Sequence, residues 1–244
     1  MTRQDESMTG AAPQACRWHP VADQQALPDV ASETIVACAA RAIEQRGRFD
    51  IVLAGGNTPR AVYERLRDVS SDWSRWRIYF GDERCLPPLD PARNSRMAGD
   101  AWLDRVPIRR SQVHAIPGEL GAVHAADEYA DLLRSVGTFD LVLLGLGEDG
   151  HTASLFPDHE WGSAPGSPDT LAVFDAPKPP AQRVSLSAAR LARSRQVVFL
   201  VSGEAKRRAV TAWRAGQDIP ARAIAPAAGV DVLVESALLS PPAA

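Results

Sequence analysis

Short apolar runs recur along the chain, and most of them end at a glycine or at charged residues. The clearest runs lie at 51–54, 77–80, 141–144, 197–201 and 230–234. Nearly unbroken runs of this length are typical of strands buried on both faces of a parallel sheet. Shorter strands are predicted at 17–21, 113–116, 171–174, 183–186 and 223–225.

Between these runs, apolar residues recur at the spacing of a helix that packs one face against a core. Such helices are predicted at 28–46, 59–69, 94–103 and 122–136, and after 202–206 as far as 213. Because strands alternate with helices, the fold class is α/β with a mostly parallel sheet. The segment 157–170 is rich in Pro, Gly and Ser, which predicts a flap or long loop.

The stretch 139–157 carries the strongest chemical signal. Its apolar run breaks at Gly145 and Gly147, and Glu148, Asp149 and His151 follow at once. Glycine lets the backbone turn sharply and approach a ligand. Open α/β sheets place their chemistry at the carboxyl ends of the strands, so we expect a site here. The alternative is a solvated turn that happens to be charged.

The loop after the first buried strand, Gly55-Gly56-Asn57-Thr58, has the composition of a phosphate cradle. Free backbone N–H groups at a helix N-terminus suit an anion, and Asn57 or Thr58 is expected to cap that helix. The loop lacks the ending of a Walker motif and the spacing of a dinucleotide fingerprint. A plain tight turn before a helix remains an alternative.

Three basic residues lie near other strand ends. Arg84 closes the segment Gly81-Asp82-Glu83-Arg84, Arg183 begins a short strand, and Lys206 lies at a predicted helix start. A lysine at a helix start opposes the helix dipole, which a bound anion would explain. A local ion pair for Arg84 and solvated surface positions for the other two are the alternatives.

The chain has 244 residues and a formal net charge of -3. This charge gives no basic surface for nucleic acid, and no apolar run is long enough to span a membrane. The polar N-terminus lacks the apolar segment of a secretory signal, and three widely spaced cysteines form no framework, so we expect a cytoplasmic protein. No histidine shows ligand spacing with Cys, Asp or Glu, so no metal site is predicted.

Taken together, these loops resemble those of the 6-phosphogluconolactonase family. The matching segments are A-G-G-N-T-P (54–59), Y-F-G-D-E-R (79–84), P-A-R-N-S (91–95), G-L-G-E-D-G-H-T-A-S-L-F-P (145–157), R-V-S-L (183–186) and S-G-E-A-K (202–206). The resemblance implies a single Rossmann-like domain over 15–240 that needs no cofactor, with residues 1–14 as a flexible tail. Two departures are Ala54, where many relatives have Ser, and Asp158, where Gly is common.

The resemblance also implies the reaction and the site residues. The reaction is hydrolysis of 6-phospho-D-glucono-1,5-lactone, with a sugar-phosphate lactone as the partner molecule and a monomer favoured over an oligomer. His151 is the expected base because the ordinary histidine pKa, about 6.5, suits proton transfer near neutrality. Asp149 orients it, and Arg84 holds either the phosphate or the lactone oxygen. Asn94 is expected to bind sugar hydroxyls, and the phosphate is assigned to Gly55, Gly56, Asn57, Thr58, Arg183 and Lys206.

Three other functions use some of these features. An aldose–ketose isomerase or deaminase needs a further acid–base group, and no carboxylate follows His151 before Asp158. A non-catalytic sugar-phosphate sensor would keep the cradle without needing the His–Asp pair. A nicotinamide oxidoreductase would need the dinucleotide fingerprint, which is absent.

Overall fold

The computed structural model describes residues 14–240. Most of the predicted tail, 1–13, therefore lies outside the described residues. Gln14 is held in place: its Nε2 donates to the carbonyls of Ala221 and Ile224 at 2.9 and 2.6 Å. Its Oε1 accepts from the indole of Trp213 at 2.8 Å.

The elements follow the predicted alternation of strands and helices. The strands are β1 Cys16–Val21, β2 Phe49–Leu53, β3 Trp76–Phe80, β4 Asp82–Arg84, β5 Val113–His114, β6 Leu141–Gly145, β7 Thr170–Val173, β8 Arg183–Leu186, β9 Val197–Val201 and β10 Val230–Glu235. The helices are α1 Leu27–Arg46, α2 Asn57–Arg65, α3 Asn94–Ala101, α4 Ala122–Leu133, α5 Ala188–Ala192, α6 Arg207–Arg214 and α7 Pro220–Ala223. The α/β class predicted from the sequence is confirmed.

Seven strands form one sheet in the order β1-β10-β9-β6-β2-β3-β5, and every neighbouring pair is parallel. All residues of β2 and β9 are buried, including Asp50 of β2. For the apolar residues 51–53 and 197–201, this is the burial that unbroken apolar runs predict. One cluster of buried apolar residues reaches from Val21 to Leu238, so both ends of the described chain share its core.

The strand order creates a switch point between β2 and β6. From β2 the chain moves outward through β3 to β5, and from β6 it moves the other way through β9 to β10. The loops that leave β2 and β6 therefore diverge at the carboxyl end of the sheet. A crevice opens at such a point in open parallel sheets.

A second sheet was not predicted. Strands β4, β8 and β7 pair antiparallel in that order, with Arg84 directly opposite Arg183. Its first strand, Asp82-Glu83-Arg84, is charged throughout and carries no apolar pattern. The small sheet forms one wall of the crevice.

The strand predicted at 223–225 is wrong. Residues 220–223 form the short helix α7, with Pro220 in its first turn. Proline fits the first helical turn because its missing N–H is not needed there. Among the described residues, no helix combines the length and apolar character needed to cross a membrane.

Candidate active site

A cleft of about 470 Å³ lies at the switch point. The loops after β2, β3, β6 and β9 form it, together with the tip of the β7–β8 hairpin. Nine of the ten predicted site residues line it: Gly55, Gly56, Asn57, Thr58, Arg84, Asn94, His151, Arg183 and Lys206. The tenth, Asp149, contacts one of these nine.

His151 and Asp149 form a close pair. The imidazole Nδ1 lies 2.5 Å from Asp149 Oδ1, and the same oxygen accepts the backbone N–H of His151 at 3.1 Å. Partial burial acts to raise the pKa of Asp149. These hydrogen bonds and the charge of the imidazole outweigh burial and lower that pKa. No described residue bonds to Nε2 of His151. Since Nδ1 is engaged by the carboxylate, Nε2 is the nitrogen left for a reactant.

The glycines of this loop make room for the imidazole. A Cβ on residue 147 would lie 2.0 Å from His151 Nδ1, so the ring packs directly over Gly147. Gly150 has φ 88°, and a Cβ there would lie 2.8 Å from Ile219. Gly147 also donates its N–H to the carbonyl of His151 at 2.7 Å, which closes the turn. The G-x-D-G-H spacing at 147–151 thus holds the imidazole ring in one position.

The residues after His151 tie the loop to the second sheet. The hydroxyl of Ser154 donates to Asp82 Oδ2 at 2.6 Å. Phe156 is buried, and its ring lies 4.8 Å from that of His151 and 5.4 Å from the guanidinium of Arg183. His151 and Arg183 therefore both lie against the ring of Phe156.

Asn94 sits in a buried network with Asp82. Its Nδ2 donates to the backbone carbonyl and to Oδ1 of Asp82, each at 2.9 Å. A Cβ on residue 55 would lie 2.0 Å from Asn94 Oδ1, so this side chain packs against Gly55. Because its amide hydrogens are engaged, Asn94 positions the Gly55 loop and offers only Oδ1 to a ligand.

The N-terminus of α2 carries no side-chain cap. Its N-cap is Gly56, at φ 107°, so the predicted capping by Asn57 or Thr58 is wrong. Thr58 Oγ1 instead lies 3.0 Å from Ser202 Oγ, which joins the loops after β2 and β9. The first N–H groups of α2 therefore face the cleft without a side-chain acceptor, as an anion site requires.

Four cations line the cleft. Lys178 lies 3.9 Å from Glu148, whereas Arg84, Arg183 and Lys206 form no ion pair with a carboxylate among the described residues. Arg183 is only 5% exposed; it donates to the carbonyls of Lys178 at 2.7 Å and Pro180 at 3.2 Å. Arg84 donates to the carbonyl of Ala92, and its Nε is buried without a partner. Burial lowers the pKa of Arg183, and it lowers the pKa of Lys206 as well. An anion is the missing partner that this arrangement suits.

Sequence reasoning missed two charged residues of the cleft. Asp82 was noticed only as part of a charged segment, yet it is 6% exposed and lines the cleft. Lys178 lies in the Pro-rich link between two short strands, and the β7–β8 hairpin brings it there. Asp82 follows the end of β3, so its position at a strand end was a usable signal. No local pattern marks Lys178, because it reaches the cleft through the antiparallel sheet.

The fold and the cleft define an α/β protein whose main cleft lies at the switch point of a parallel sheet, where a His–Asp pair lies near cations that form no ion pair. The chain belongs to the glucosamine-6-phosphate isomerase/6-phosphogluconolactonase family, whose sequence model matches residues 22–233.

Individual relatives agree with this assignment. The 6-phosphogluconolactonase of Synechocystis sp. is 36% identical over 217 residues, which cover 84% of this chain and 89% of that protein. The structure of 6-phosphogluconolactonase from Thermotoga maritima has a TM-score of 0.83 at 27% identity, covering 91% of this chain and 100% of the other. The enzyme from Trypanosoma brucei has a TM-score of 0.81 at 26% identity, covering 92% and 98%.

Proposed function

We propose that this protein hydrolyses 6-phospho-D-glucono-1,5-lactone to 6-phosphogluconate. The observation that carries the proposal is the pairing of His151 with Asp149 in a cleft lined by cations that lack carboxylate partners. The first feature suits activation of water, and the second suits a phosphorylated substrate. The names of the relatives point to the same reaction.

The lactone carbonyl is already electrophilic, so the reaction needs a base and positioning rather than a covalent nucleophile. A water oxygen attacks C1 while Nε2 of His151 takes one of its protons. The C1–O5 bond then breaks, and the ring oxygen takes the proton from His151 to become a hydroxyl. The new carboxylic acid releases its proton to solvent.

Asp149 would hold the imidazole in the tautomer that leaves Nε2 unprotonated and would stabilise the imidazolium formed in the first step. This role follows the contact between Asp149 Oδ1 and Nδ1.

The phosphate is assigned to the α2 N-terminus with Arg183 and Lys206. Arg84 would hold either this group or the oxyanion that develops on C1. Binding energy from the remote phosphate holds C1 against the water, so these cations contribute to catalysis by positioning.

A second candidate within the same family is isomerisation or deamination of a hexosamine phosphate, which needs a further acid–base group. Asp82 is the carboxylate that lines the cleft in the described part of the chain. Both of its oxygens already accept hydrogen bonds, from Asn94 and Ser154. Asp158 is exposed and does not line the cleft, so hydrolysis is favoured.

The deciding experiment measures acid release from the phosphorylated lactone, corrected for spontaneous hydrolysis, with unphosphorylated gluconolactone and glucosamine 6-phosphate as comparison substrates. We expect fast turnover of the phosphorylated lactone only, and the same rate with a chelator present. Ammonia release from glucosamine 6-phosphate without lactone hydrolysis would establish the second candidate instead.

Other sequence expectations remain proposals. We retain one domain over 15–240, because one buried apolar cluster includes both Val21 and Leu238. No group of three or more side chains suited to a metal occurs among residues 14–240. That the reaction needs no cofactor stays a prediction. The three cysteines are free, which suits a reducing cytoplasm. A monomer also stays the expected state.

A further inference from the structure

A lysine and a glutamate face each other across the mouth of the cleft. Lys178 lies at the tip of the β7–β8 hairpin and lines the cleft. Its Nζ is 3.9 Å from Oε1 of Glu148, which belongs to the loop after β6. Both side chains are more than half exposed. Arg183 fixes the hairpin tip by donating to the carbonyl of Lys178 at 2.7 Å.

Glu148 also acts on a second cation of the cleft. Burial lowers the pKa of Lys206, and the negative charge of Glu148 opposes this effect. The carboxylate therefore lies within electrostatic reach of two lysines that line the cleft. By contrast, neither Arg84 nor Arg183 forms an ion pair with a carboxylate in the described part of the chain.

The proposed hydrolysis changes the charge of the bound molecule. The lactone carries its negative charge on the phosphate alone, whereas the product has gained a carboxylate at C1. That carbon is the one attacked beside His151, three residues from Glu148. The new charge thus arises near an existing negative charge, and like charges repel.

We propose that Glu148 is an internal counter-ion of the cleft lysines that weakens binding of the hydrolysis product more than binding of the lactone. This role rests on the proposed function. Glu148 partly neutralises Lys178 and Lys206, which reduces their attraction for every anion. It also repels the carboxylate that only the product carries, so it favours product release.

The test compares two ligands that differ in this carboxylate. 6-Phosphogluconate carries it, and glucitol 6-phosphate has a neutral hydroxyl group in its place. Calorimetry gives both dissociation constants for the wild type and for Glu148→Gln. We expect the variant to bind 6-phosphogluconate about two- to ten-fold more tightly at low salt, with a smaller gain for glucitol 6-phosphate. The difference should shrink at high salt because the charges are exposed.

Glu204→Gln is the matched control. Glu204 lies in the same loop as Lys206, but its carboxylate pairs with Arg207. The substitution changes the net charge equally, and we expect no preference between the two ligands. In Glu148→Gln, product inhibition of turnover should strengthen in proportion to the tighter product binding.

Equal changes for both ligands, or the same selectivity in Glu204→Gln, would overturn the role of Glu148. If the wild type hydrolyses the lactone and Glu148→Gln leaves the ratio of the two dissociation constants unaltered, this inference fails and the proposed function stands. If the wild type binds neither ligand and releases no acid, the proposed function fails as well.

Discussion

Arg93 and Arg183 are buried to the same degree but have different partners. Arg93 is 3% exposed and meets two carboxylates, Glu83 at 3.3 Å and Glu119 at 2.6 Å. It also donates to the carbonyl of Ile116 at 2.6 Å. Arg183 is 5% exposed, its guanidinium donates only to backbone carbonyls, and it packs against the ring of Phe156.

The Arg93 cluster is a structural unit of buried charges, although Nε of Arg93 has no hydrogen-bond partner. Glu83 is fully buried, and its two oxygens accept the N–H groups of Asn94 and Ser95 at 2.7 and 2.9 Å. It thereby caps α3 from another element, and Arg93 balances its charge. Burying an arginine that forms no ion pair is costly, so the position of Arg183 suits an anionic ligand. The Arg93 cluster supports the fold, and the proposed role of the cleft is to bind a ligand.

The largest expected effect comes from a residue of the cleft. Asparagine at position 151 keeps a polar side chain but cannot accept a proton near neutral pH. We expect His151→Asn to lower kcat about 100- to 10,000-fold, the usual worth of a general base. The unfolding midpoint should stay close to that of the wild type, because a residue that serves the reaction should contribute little to the stability of the fold. An assay of lactone hydrolysis gives kcat, and thermal unfolding of the same sample gives the midpoint.

His114→Asn is the matched control. Its ring stacks on Tyr79 at 4.7 Å, outside the cleft. This variant should lose stability and keep a near-normal kcat. The reverse pattern, a folded His151→Asn with wild-type kcat, would remove His151 from the mechanism.

The two arginines should respond differently to the same substitution. Arg183→Met should lower kcat/KM for the phosphorylated lactone about 10- to 150-fold, the worth of a lost charged hydrogen bond. Its unfolding free energy should change less than that of Arg93→Met, because Arg183 hydrogen-bonds only to backbone carbonyls and its loss leaves no paired carboxylate without a partner. Arg93→Met should cost about 3–5 kcal/mol of stability, since it leaves buried Glu83 without its counter-charge.

Chemical denaturation measures the unfolding free energy of both variants, and steady-state kinetics measures their kcat/KM. Unphosphorylated gluconolactone provides the internal control, because Arg183→Met should treat it as the wild type does. An Arg183→Met protein that is destabilised as much as Arg93→Met would show that the two arginines play the same structural part.

The sequence was sufficient to predict the parallel sheet. Runs such as 141–144 and 197–201 are apolar throughout, so their burial on both faces shows in the local pattern. The second sheet could not be predicted, because β4 consists of three charged residues whose pairing with β8 is set by distant contacts. Helix α7 was mistaken for a strand since four residues are too few to show a period.

Some residues of the site could likewise be predicted from the local sequence, and others could not. Gly55, Gly147 and His151 belong to loops that directly follow buried strands, so their meeting at one end of the sheet could be predicted. Asp82 also follows a buried strand and could have been predicted on the same ground. Lys178 reaches the cleft through antiparallel pairing, which no local signal encodes. The packing of Asn94 against Gly55 could not be predicted either, because it depends on the meeting of two separate loops.

The smallest expected effect concerns Lys206, the third unpaired cation of the cleft. Burial lowers its pKa below the ordinary lysine value. A lysine binds an anion only while it is protonated, so affinity should fall as the pH rises through this lowered pKa. We therefore expect binding of 6-phosphogluconate to weaken about ten-fold or less at alkaline pH, beginning below the pH at which an exposed lysine titrates.

Lys206→Arg separates this lysine from every other titrating group. Arginine keeps its charge across the same range, so the variant should bind with nearly constant affinity where the wild type weakens. Lys206→Met should bind weakly at all pH values and show no alkaline decline. If the decline persists unchanged in Lys206→Arg, another group causes it, and Lys206 would be a solvated lysine rather than a partner of Arg183 in holding the anion.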